Sequence, residues 1–434
     1  MSKIRIGLIG CGVVGQGIMR LLHEHADSIE ARLGSPIEVR RIVARNPTRD
    51  RGPYVDRKWV TVDADAVLAD PDIDIIVEVM GGIDPADGYI RRAMEHGKSV
   101  VTANKALIAD RGHELFELAA TRGVDLYFEA AVAGGVPVIR VLREALTSDR
   151  VVALKGIING TSNYILSRME EQAGLSFADA LAEAQSRGYA EADPTLDVGG
   201  GDACHKLAIL ATLAFGKKVG IEQVATEGIE RVSAVDMAFA KRFGFTVKPL
   251  AIGRALDDGR LDLRVHPALI GSRQVLASIG GALNAIYIDG AAVGPSMLSG
   301  LGAGALPTAV SVVSDIVDVG RNLRSEARGR VQHTARGAEP ALVQDLSDHE
   351  CRFFLRFSVR DESGVLGRLA GLLGDEHVSI EQMVQEGQGD RPTAVVMLTH
   401  PAGEGGVRRA VERIDALPEV VEPTHVLRIE EDRP

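Results

Sequence analysis

The chain has 434 residues, enough for two or three domains with sizeable hydrophobic cores. Its composition, 45% hydrophobic and 25% charged, is typical of a soluble globular protein, and its net charge of -11 argues against nucleic acid or an anionic membrane as a partner. No apolar run is long enough to span a bilayer, the N-terminus shows no signal-peptide cleavage site, and three dispersed cysteines favour a reducing cytoplasmic location.

Strand-like and helical segments alternate over the first third of the chain. Residues 3–25 read as an apolar strand, a glycine turn and an amphipathic helix, and further strand-like segments follow, at 37–43, 73–80, 99–104 and 124–132. Such alternation predicts crossover connections and a mostly parallel sheet. We therefore expect an α/β fold in which residues 1–135 form a Rossmann-type, doubly wound nucleotide-binding domain, completed by a returning segment near 305–320.

The middle of the chain, residues 136–304, mixes long helical patterns with strand-like pieces. This mixture predicts an α+β domain with its own sheet. Residues 321–348 are polar and poor in helical patterns, and we expect them to form a linker.

The tail, residues 349–434, has the segment order βαββαβ, which is typical of a ferredoxin-like unit. Its start, VRDESGVLGRLAGLL, resembles the ACT domain, a small regulatory module that binds amino acids. In that family the turn after the first strand lies beside the ligand, which implies effector binding near Asp361 and Gly364. The alternative is a tail that only dimerises.

The glycine turn carries the motif G-x-G-x-x-G, formed by Gly10, Gly12 and Gly15 directly after a strand and at the start of a helix. In that context the glycines permit a tight turn and let the backbone approach a pyrophosphate. The helix N-terminus, at Val13 and Val14, offers N–H donors to the phosphates. The motif therefore predicts a dinucleotide cofactor.

The end of the second predicted strand bears on which cofactor is used. An acidic residue there would bind the free ribose 2′-hydroxyl of NAD, but Ala44 and Arg45 occupy these positions. Arg45 favours the 2′-phosphate of NADP, or use of both cofactors. The alternative is that Arg45 is only a solvated surface cation.

Three further segments carry candidate chemistry. Lys105, in VVTANKAL, follows a sheet strand at the edge where parallel sheets bind ligands. Thr161 or Ser162, in INGTSNYIL, is a natural helix N-cap, so this helix end is a candidate carboxylate site or an ordinary cap. Asp202 and Lys206 are four residues apart on one helix face, as a surface ion pair or as a buried pair facing the nicotinamide.

The motifs GLIGCGVVGQG, TANK, INGTSNYIL, GYAEADPTLDVGGGDACHKL and GLGAGALPTA resemble those of homoserine dehydrogenase, in the same order over nearly the whole chain. The resemblance implies reversible NAD(P)H-dependent reduction of L-aspartate 4-semialdehyde to L-homoserine, in threonine, methionine and isoleucine biosynthesis. It implies that Glu191 binds the substrate amino group and that Asp202 positions substrate and lysine. Thr161, at the candidate carboxylate site, is a further candidate for substrate binding. Lys206 is then the usual proton donor, with Lys105 as the second candidate.

The same resemblance implies a monovalent-cation site, most simply for sodium, in FEAAVAGGVP. Its residues are Glu129 and the main-chain oxygens of Val132, Gly134 and Val136. Gly302 would return to the cofactor. The resemblance further implies that residues 136–304 form the substrate-binding, catalytic and dimerisation domain, and we expect a homodimer or homotetramer. The tail, with Asp361, Gly364 and the helix that follows, prompts a separate hypothesis of inhibition by threonine.

Two other functions compete with this one. A cysteine-dependent semialdehyde dehydrogenase needs a thiolate beside a base, and Cys204 has His205 next to it, but adjacent helix residues point about 100° apart. A non-enzymatic, NADP-binding amino-acid sensor would keep the cofactor motif and the tail but would not need Lys105 or Lys206.

Overall fold

The computed structural model describes residues 3–333, 338–387 and 392–431. Contacts divide the chain into two compact units. The first unit comprises Met1–Leu154, Asp202–Val224 and Leu283–Ala341, and the second comprises Lys155–Gly201, Ala225–Ala282 and Leu342–Pro434. The domain boundaries drawn from the sequence stay a prediction, and part of the predicted linker, residues 334–337, lies outside the described residues.

Strands and helices follow one another along the whole of the described chain. The strands are β1 (Ile4–Ile9), β2 (Ile37–Val43), β3 (Val60–Thr61), β4 (Ile75–Glu78), β5 (Ser99–Thr102), β6 (Leu126–Tyr127), β7 (Val151–Ile157), β8 (Ala225–Thr226), β9 (Phe245–Ala255), β10 (Leu261–Gly271), β11 (Leu283–Gly290), β12 (Gly294–Leu301), β13 (Glu350–Val359), β14 (Ile380–Glu386), β15 (Thr393–Thr399), β16 (Ala402–Gly403) and β17 (Val420–Glu430). The helices are α1 (Val13–Glu24), α2 (Ala26–Leu33), α3 (Ala64–Ala69), α4 (Ala86–Glu95), α5 (Lys105–Arg122), α6 (Val138–Arg140), α7 (Gly160–Glu171), α8 (Phe177–Ser186), α9 (Thr195–Val198), α10 (Gly201–Phe215), α11 (Ala234–Arg242), α12 (Ala305–Arg324), α13 (Val365–Asp375) and α14 (Glu404–Asp415).

The first unit contains a six-stranded sheet in the order β3-β2-β1-β4-β5-β6, with every pair parallel. This order reverses direction between β1 and β4, as in Rossmann folds, and confirms the predicted doubly wound sheet. Strand β6 is much shorter than the predicted segment 124–132. The chain leaves the sheet because the N–H of Glu129 donates to the carboxylate of Asp315 on α12 (2.8 Å) and not to a neighbouring strand.

Helix α12 closes the core of this sheet. Its apolar face, including Ala309, Val312 and Ile316, packs into the same buried cluster as β1 and α1. A Cβ on Gly17 of α1 would lie 2.7 Å from the carbonyl oxygen of Ala305, so the two helices touch through backbone. The helix continues to Arg324, so the first residues of the predicted linker 321–348 are helical.

The second unit is built on one mixed sheet that includes the order β9-β10-β17-β13-β15-β14. Strands β9 and β10 form a long antiparallel hairpin, and β10 pairs with β17 in parallel. Strands β13, β14, β15 and β17, with α13 and α14, form the predicted βαββαβ unit. This ferredoxin-like unit is therefore part of the same compact unit as β9 and β10, joined to them through the β10–β17 pair.

Two hydrophobic clusters cover the sheet of the second unit. One joins α7, α8 and α11 to inward residues of the strands, among them Val247, Leu269 and Leu427. The other joins α13 and α14 to residues such as Phe353 and Phe357 of β13. None of the helices in the described part of the chain has the length and apolar character that crossing a bilayer would require.

Candidate active site

A cleft of about 570 Å³ opens at the carboxyl ends of β1, β2 and β4. Four of the predicted cofactor residues line it: Gly10, Gly12, Ala44 and Arg45. This is the edge at which open parallel sheets bind ligands, because the chain reverses its strand order there. A cleft of this size is in the range of small-molecule and cofactor sites.

The three motif glycines serve different geometric needs. Gly10 has φ +99°, and a Cβ there would lie 2.8 Å from the backbone of Val79, so the strand can turn only without a side chain. A Cβ on Gly15 would lie 2.7 Å from the carbonyl oxygen of Gly10, which keeps α1 close to the sheet. A Cβ on Gly12 would meet no atom within 4 Å, so this position faces open space.

The N-terminus of α1 is not occupied by the protein's own acids. Its first turn, which begins at Val13 and Val14, contains no acidic residue, and Gly12 at the N-cap provides no side-chain acceptor. The unpaired N–H groups and the positive end of the helix dipole therefore suit a phosphate group.

An arginine-rich loop follows β2 at the other side of the cleft. Arg45 and Arg49 line the cleft, and the side chain of Asn46 shapes the loop by accepting from the N–H groups of Thr48 (3.0 Å) and Arg49 (3.1 Å). Arg51 is buried and donates to the carbonyl oxygens of Asn46 (2.7 Å) and Arg49 (2.9 Å). Sequence reasoning singled out only Arg45, although the run RNPTRDR was a visible signal for the other two.

A buried carboxylate at the end of β4 joins two turns of the cleft. Glu78 is fully buried, and its Oε1 accepts from the N–H groups of Met80 (2.8 Å) and Gly81 (3.2 Å). Its Oε2 accepts from the hydroxyl of Thr102 at the end of β5 (2.6 Å). These hydrogen bonds tie the turn after β4 to the turn after β5, and no sequence pattern marks Glu78 for this role.

The turn after β5 leads directly to Lys105, the first residue of α5. Asn104 caps this helix by accepting from the N–H of Leu107 (3.2 Å), and its amide donates to the carbonyl oxygen of Gly82 (2.6 Å). Lys105 is therefore held by a turn that is fixed from both sides, although its own side chain stays 36% exposed.

Asp202 lies between two lysines within the first unit. Its Oδ2 is 2.6 Å from the Nζ of Lys206, and its Oδ1 forms an ion pair with the Nζ of Lys105. The side chain of Asp202 is 2% exposed and that of Lys206 is 10% exposed. Burial by itself would raise the pKa of Asp202, but Lys206 and Lys105 outweigh it and hold this pKa well below its usual range. The group carries two positive charges and one negative charge.

The start of α7, in the second unit, differs from the expectation. The N-cap is Asn159, whose side chain accepts from the N–H of Ser162 (2.8 Å), so neither Thr161 nor Ser162 caps the helix. The helix begins earlier because an Asn side chain at this point already satisfies a first-turn N–H. The hydroxyl of Thr161 donates to the carbonyl oxygen of Tyr189 (2.6 Å), which ties α7 to the acidic segment that follows α8.

The acids of that segment have different surroundings. Glu191 is exposed, and the amide of Gln185 donates to its main-chain oxygen (3.1 Å). Asp193 accepts from the N–H (3.1 Å) and hydroxyl (2.6 Å) of Thr195 and so shapes the turn into α9. Asp197 accepts from the amide of Asn159 (2.7 Å). Asp193 and Asp197 thus have structural partners within the segment, whereas Glu191 is an exposed acid.

Glu129, in the predicted cation segment, is buried beside α12. Its carboxylate accepts from the N–H groups of Ile139 and Arg140, each at 2.8 Å, and its own N–H donates to Asp315. Burial raises the pKa of Glu129, and burial together with the charge of Glu129 raises the pKa of Asp315 to about 8. The carboxylate of Glu129 thus accepts two main-chain hydrogen bonds, and the carbonyl oxygen of Val136 accepts one from the N–H of Val138 (2.8 Å). That this segment binds a cation stays a prediction.

The loop that contains Val132, Gly134 and Val136 is buried and sharply turned. Gly134 has φ +45°, and a Cβ there would lie 2.5 Å from the carbonyl oxygen of Gly302, so the two loops touch through backbone. The hydroxyl of Ser311 on α12 donates to the carbonyl oxygen of Gly134 (2.6 Å). Among the described residues, no group of three or more His, Cys, Asp or Glu side chains is arranged to hold a metal ion.

The predicted effector residues lie between β13 and α13. Gly364 has φ +89° and is the N-cap of α13, and Asp361 is exposed three residues before it. The start of this turn is fixed because the N–H of Arg360 donates to the carbonyl oxygen of Glu419 (2.9 Å).

The cysteines do not form a thiolate–base pair. Burial raises the pKa of Cys11, and burial raises that of Cys351 to about 12. Cys204 is buried, and its thiol donates to the carbonyl oxygen of Ile221 (3.4 Å). These are the properties of structural cysteines, so the cysteine-dependent dehydrogenase has no support from the geometry.

A Rossmann-type sheet whose glycine turn suits a phosphate group is typical of nicotinamide-dependent oxidoreductases, and this chain adds an ACT-type unit at its C-terminal end. The family profile described as "Homoserine dehydrogenase, NAD binding domain" matches residues 10–129, that described as "Homoserine dehydrogenase" matches 137–317, and the ACT domain profile matches 353–419.

Proteins with similar sequences or structures bear the same family name as these profiles. Homoserine dehydrogenase of Pseudomonas aeruginosa is 42% identical over 99% of this chain and 100% of its own length, and that of Neisseria gonorrhoeae is 41% identical over 99% of both. The crystal structure of the enzyme from Thiobacillus denitrificans superposes with a TM-score of 0.92 at 41% identity, over 99% of each chain. A hyperthermophilic archaeal homoserine dehydrogenase in complex with NADPH covers 73% of this chain and 98% of its own, at 27% identity and a TM-score of 0.61. The chain belongs to the homoserine dehydrogenase family.

Proposed function

We propose that the Lys105–Asp202–Lys206 group carries the proton transfer of this homoserine dehydrogenase, in the reversible reduction of L-aspartate 4-semialdehyde to L-homoserine. The observation that supports this most strongly is the buried ion pair between Lys206 and Asp202, with Nζ and Oδ2 2.6 Å apart. The experiment that tests it is steady-state turnover of wild type and Lys206→Met with NADPH and the semialdehyde.

The physical reason is the charge that develops during the reaction. A nicotinamide cofactor, when bound, would supply the hydride that adds to the aldehyde carbon, and the carbonyl electron pair would move onto oxygen. The ammonium group of Lys206 stabilises the negative charge that develops on this oxygen. It then donates a proton to the oxygen, which gives the hydroxyl of homoserine. In the reverse direction the neutral amine accepts the proton back. Asp202 orients the lysine through the buried ion pair.

Lys105 is the second candidate donor, and its greater exposure favours a different role in the reaction. It is 36% exposed, compared with 10% for Lys206, so solvent screens its charge more strongly. We therefore assign the proton donation to Lys206 and a supporting electrostatic role to Lys105.

The charged ends of the substrate need partners of their own. Glu191 offers an exposed carboxylate to the substrate ammonium, and we assign it that role. Thr161 supports the binding of substrate indirectly, since its hydroxyl fixes Tyr189, two residues before Glu191. Glu191→Gln should therefore raise the KM for the semialdehyde while leaving the KM for NADPH unchanged.

We infer a preference for NADP over NAD. The support is the pair of guanidinium groups, Arg45 and Arg49, at the side of the cleft that follows β2. Two guanidinium groups at this point pair with the charges of the dianionic 2′-phosphate, whereas a neutral ribose hydroxyl offers them no charge to pair with. The amides of Gly12, Val13 and Val14 would hold the pyrophosphate at the other end.

A monovalent cation, most simply sodium, fits the loop with Val132, Gly134 and Val136. Hard cations prefer oxygen ligands, and this buried segment offers main-chain oxygens together with the carboxylate of Glu129. The cation would brace the loop that touches Gly302. Isothermal titration with sodium against a choline control measures this directly, and no heat of binding would exclude the site.

Assembly, regulation and location complete the proposal. Strand β12 is at a sheet edge, none of its residues is buried, and Met297 and Leu301 are exposed, which supports a homodimer or homotetramer formed through this edge. Light scattering on wild type and Met297→Lys measures that assembly.

The ACT-type unit supports feedback inhibition by threonine near Asp361 and Gly364, in a cytoplasmic pathway that leads to threonine, methionine and isoleucine.

A further inference from the structure

The triple-glycine turn that ends the acidic segment rests on a short piece of chain, residues 226–229. Gly200 has φ +84°, and a Cβ there would lie 2.9 Å from Cγ2 of Thr226 and 3.3 Å from the carbonyl oxygen of Glu227. The N–H of Ile229 donates to the carbonyl oxygen of Val198 (2.8 Å). The turn is therefore packed against residues 226–229 and hydrogen-bonded to them.

The side chain of Glu227 is held by the last strand of the ACT-type unit. Arg428 of β17 donates from Nη1 to Oε2 (2.9 Å) and from Nη2 to Oε1 (2.8 Å), which is a bidentate pair. The same guanidinium donates to Glu404, the first residue of α14, at 2.8 and 2.6 Å. Arg428 and Glu404 are each 3% exposed, so solvent hardly screens their interaction.

Glu227 has a second and weaker cationic partner besides Arg428. Arg408 also approaches Glu227 (3.3 Å), but its side chain is 55% exposed and such a contact contributes little. Arg428 is thus the residue that fixes Glu227, and it is itself fixed by Glu404. The two N–H groups of a guanidinium fix both the distance and the orientation of the Glu227 carboxylate. A single lysine amine would fix only the distance.

We propose that Glu227 and Arg428 are positioning residues for the substrate-binding segment, through which the ACT-type unit sets the affinity for the semialdehyde. Neither residue touches the reacting atoms. They act through the triple-glycine turn, which follows Glu191 in the chain and precedes Asp202. A ligand that shifts β17 or α14 would act on the substrate through the same pair. The inference rests on the proposed function of that segment.

The test compares steady-state kinetics of wild type and Glu227→Gln. The amide keeps the size of the side chain but removes the negative charge with which Arg428 forms its ion pair. We expect the KM for the semialdehyde to rise about 3- to 30-fold, the range over which coupling residues act, with kcat and the KM for NADPH changed by less than about twofold. Arg428→Lys should raise the same KM, and the double variant should rise no further than the larger single one.

The matched control is Glu376→Gln. Glu376, in the ACT-type unit itself, is likewise held by two arginines, Arg409 (2.8 Å) and Arg413 (3.3 Å), and these pairs lie away from the Glu227–Arg428 pair in the sequence. An unchanged semialdehyde KM in both Glu227→Gln and Arg428→Lys would overturn the inference, as would an equal rise in Glu376→Gln. Absent turnover in wild type would instead refute the proposed function, so the two failures are distinguishable.

Discussion

The Nζ of Lys206 lies 2.6 Å from Oδ2 of Asp202, one helical turn apart on α10, and both side chains are largely withdrawn from solvent. The same carboxylate also pairs with Lys105, which the chain brings in from the start of α5. An i,i+4 ion pair on a helix surface contributes only about 0.3–0.5 kcal/mol. Burial and the second lysine make this pair an electrostatic site with one excess positive charge.

Replacing Lys206 removes the cation closest to the buried carboxylate. For Lys206→Met we expect kcat to fall about 10²- to 10⁴-fold, as for loss of a general acid, with NADPH binding retained. Lys105→Met should lose less, because the more exposed charge is screened. Stopped-flow and steady-state rates measure both. Lys217→Met, at a half-exposed lysine outside the catalytic group, is the control and should leave kcat unchanged.

Replacing Asp202 leaves two lysines facing each other without their counter-ion. For Asp202→Asn we expect the free energy of unfolding to fall by about 3 kcal/mol, the lower end for a broken buried pair because Lys105 reaches solvent. Urea denaturation measures this loss, and Asp193→Asn, at an exposed turn acid, is the control. A variant as stable as wild type would show that the pair is not buried as described.

The two arginines of the β2 loop should decide between the cofactors. For Arg45→Ser and Arg49→Ser we expect the KM for NADPH to rise about tenfold or more, the value of a charge-assisted hydrogen bond, with the KM for NADH unchanged. Arg41→Ser, at an exposed arginine of β2, is the control. Equal effects on both cofactors would mean that these side chains do not read the 2′-phosphate.

Acid should weaken the second unit through Glu430. Burial alone would raise its pKa, but Arg264 and Arg254 outweigh it and lower the pKa to about 2 from an ordinary 4.5. A carboxyl with a lowered pKa stabilises the fold above its ordinary pKa, and this stability is lost as pH falls. We expect urea midpoints to drop as pH goes from about 4.5 towards 2. Glu430→Gln should flatten that slope, and an unchanged slope would contradict the assignment.

Threonine inhibition should depend on the turn before α13. We expect Asp361→Asn to raise the threonine concentration for half-inhibition about tenfold, because the carboxylate would pair with the ligand's ammonium. The uninhibited rate should stay unchanged, since Asp361 lies outside the catalytic group. Glu362→Gln, the neighbouring acid, is the control. Inhibition that is equal in all three proteins would exclude an effector at Asp361.

Local patterns were sufficient for the parts of the fold that local physics decides. Strand–helix alternation and the glycine motif predicted the parallel sheet and its phosphate-binding turn, and the βαββαβ rhythm predicted the ACT-type unit. The start of α7 was wrong, because Asn159 and Thr161 are both good caps and only the contact of Thr161 with Tyr189 decides between them. The length of β6 was wrong because the competing acceptor, Asp315, is distant in sequence.

Long-range relationships were beyond the reach of the sequence. The spacing of Asp202 and Lys206 predicted that they share a helix face, but nothing local indicates that Lys105 pairs with the same carboxylate. The parallel pairing of β10 with β17 is equally invisible, because strand partners are chosen by tertiary packing. Glu78 and Arg51 bind main-chain atoms around the cleft, and such roles leave no periodic pattern.

The most direct measurement is the reaction itself, followed in purified protein as loss of NADPH absorbance together with detection of the amino-acid product. With L-aspartate 4-semialdehyde, wild type should form one L-homoserine for each NADPH oxidised, and homoserine with NADP should run the reaction backwards. Lys206→Met should bind NADPH and show almost no turnover. Wild type that binds NADPH without forming homoserine, or Lys206→Met that forms it at the wild-type rate, would contradict the account.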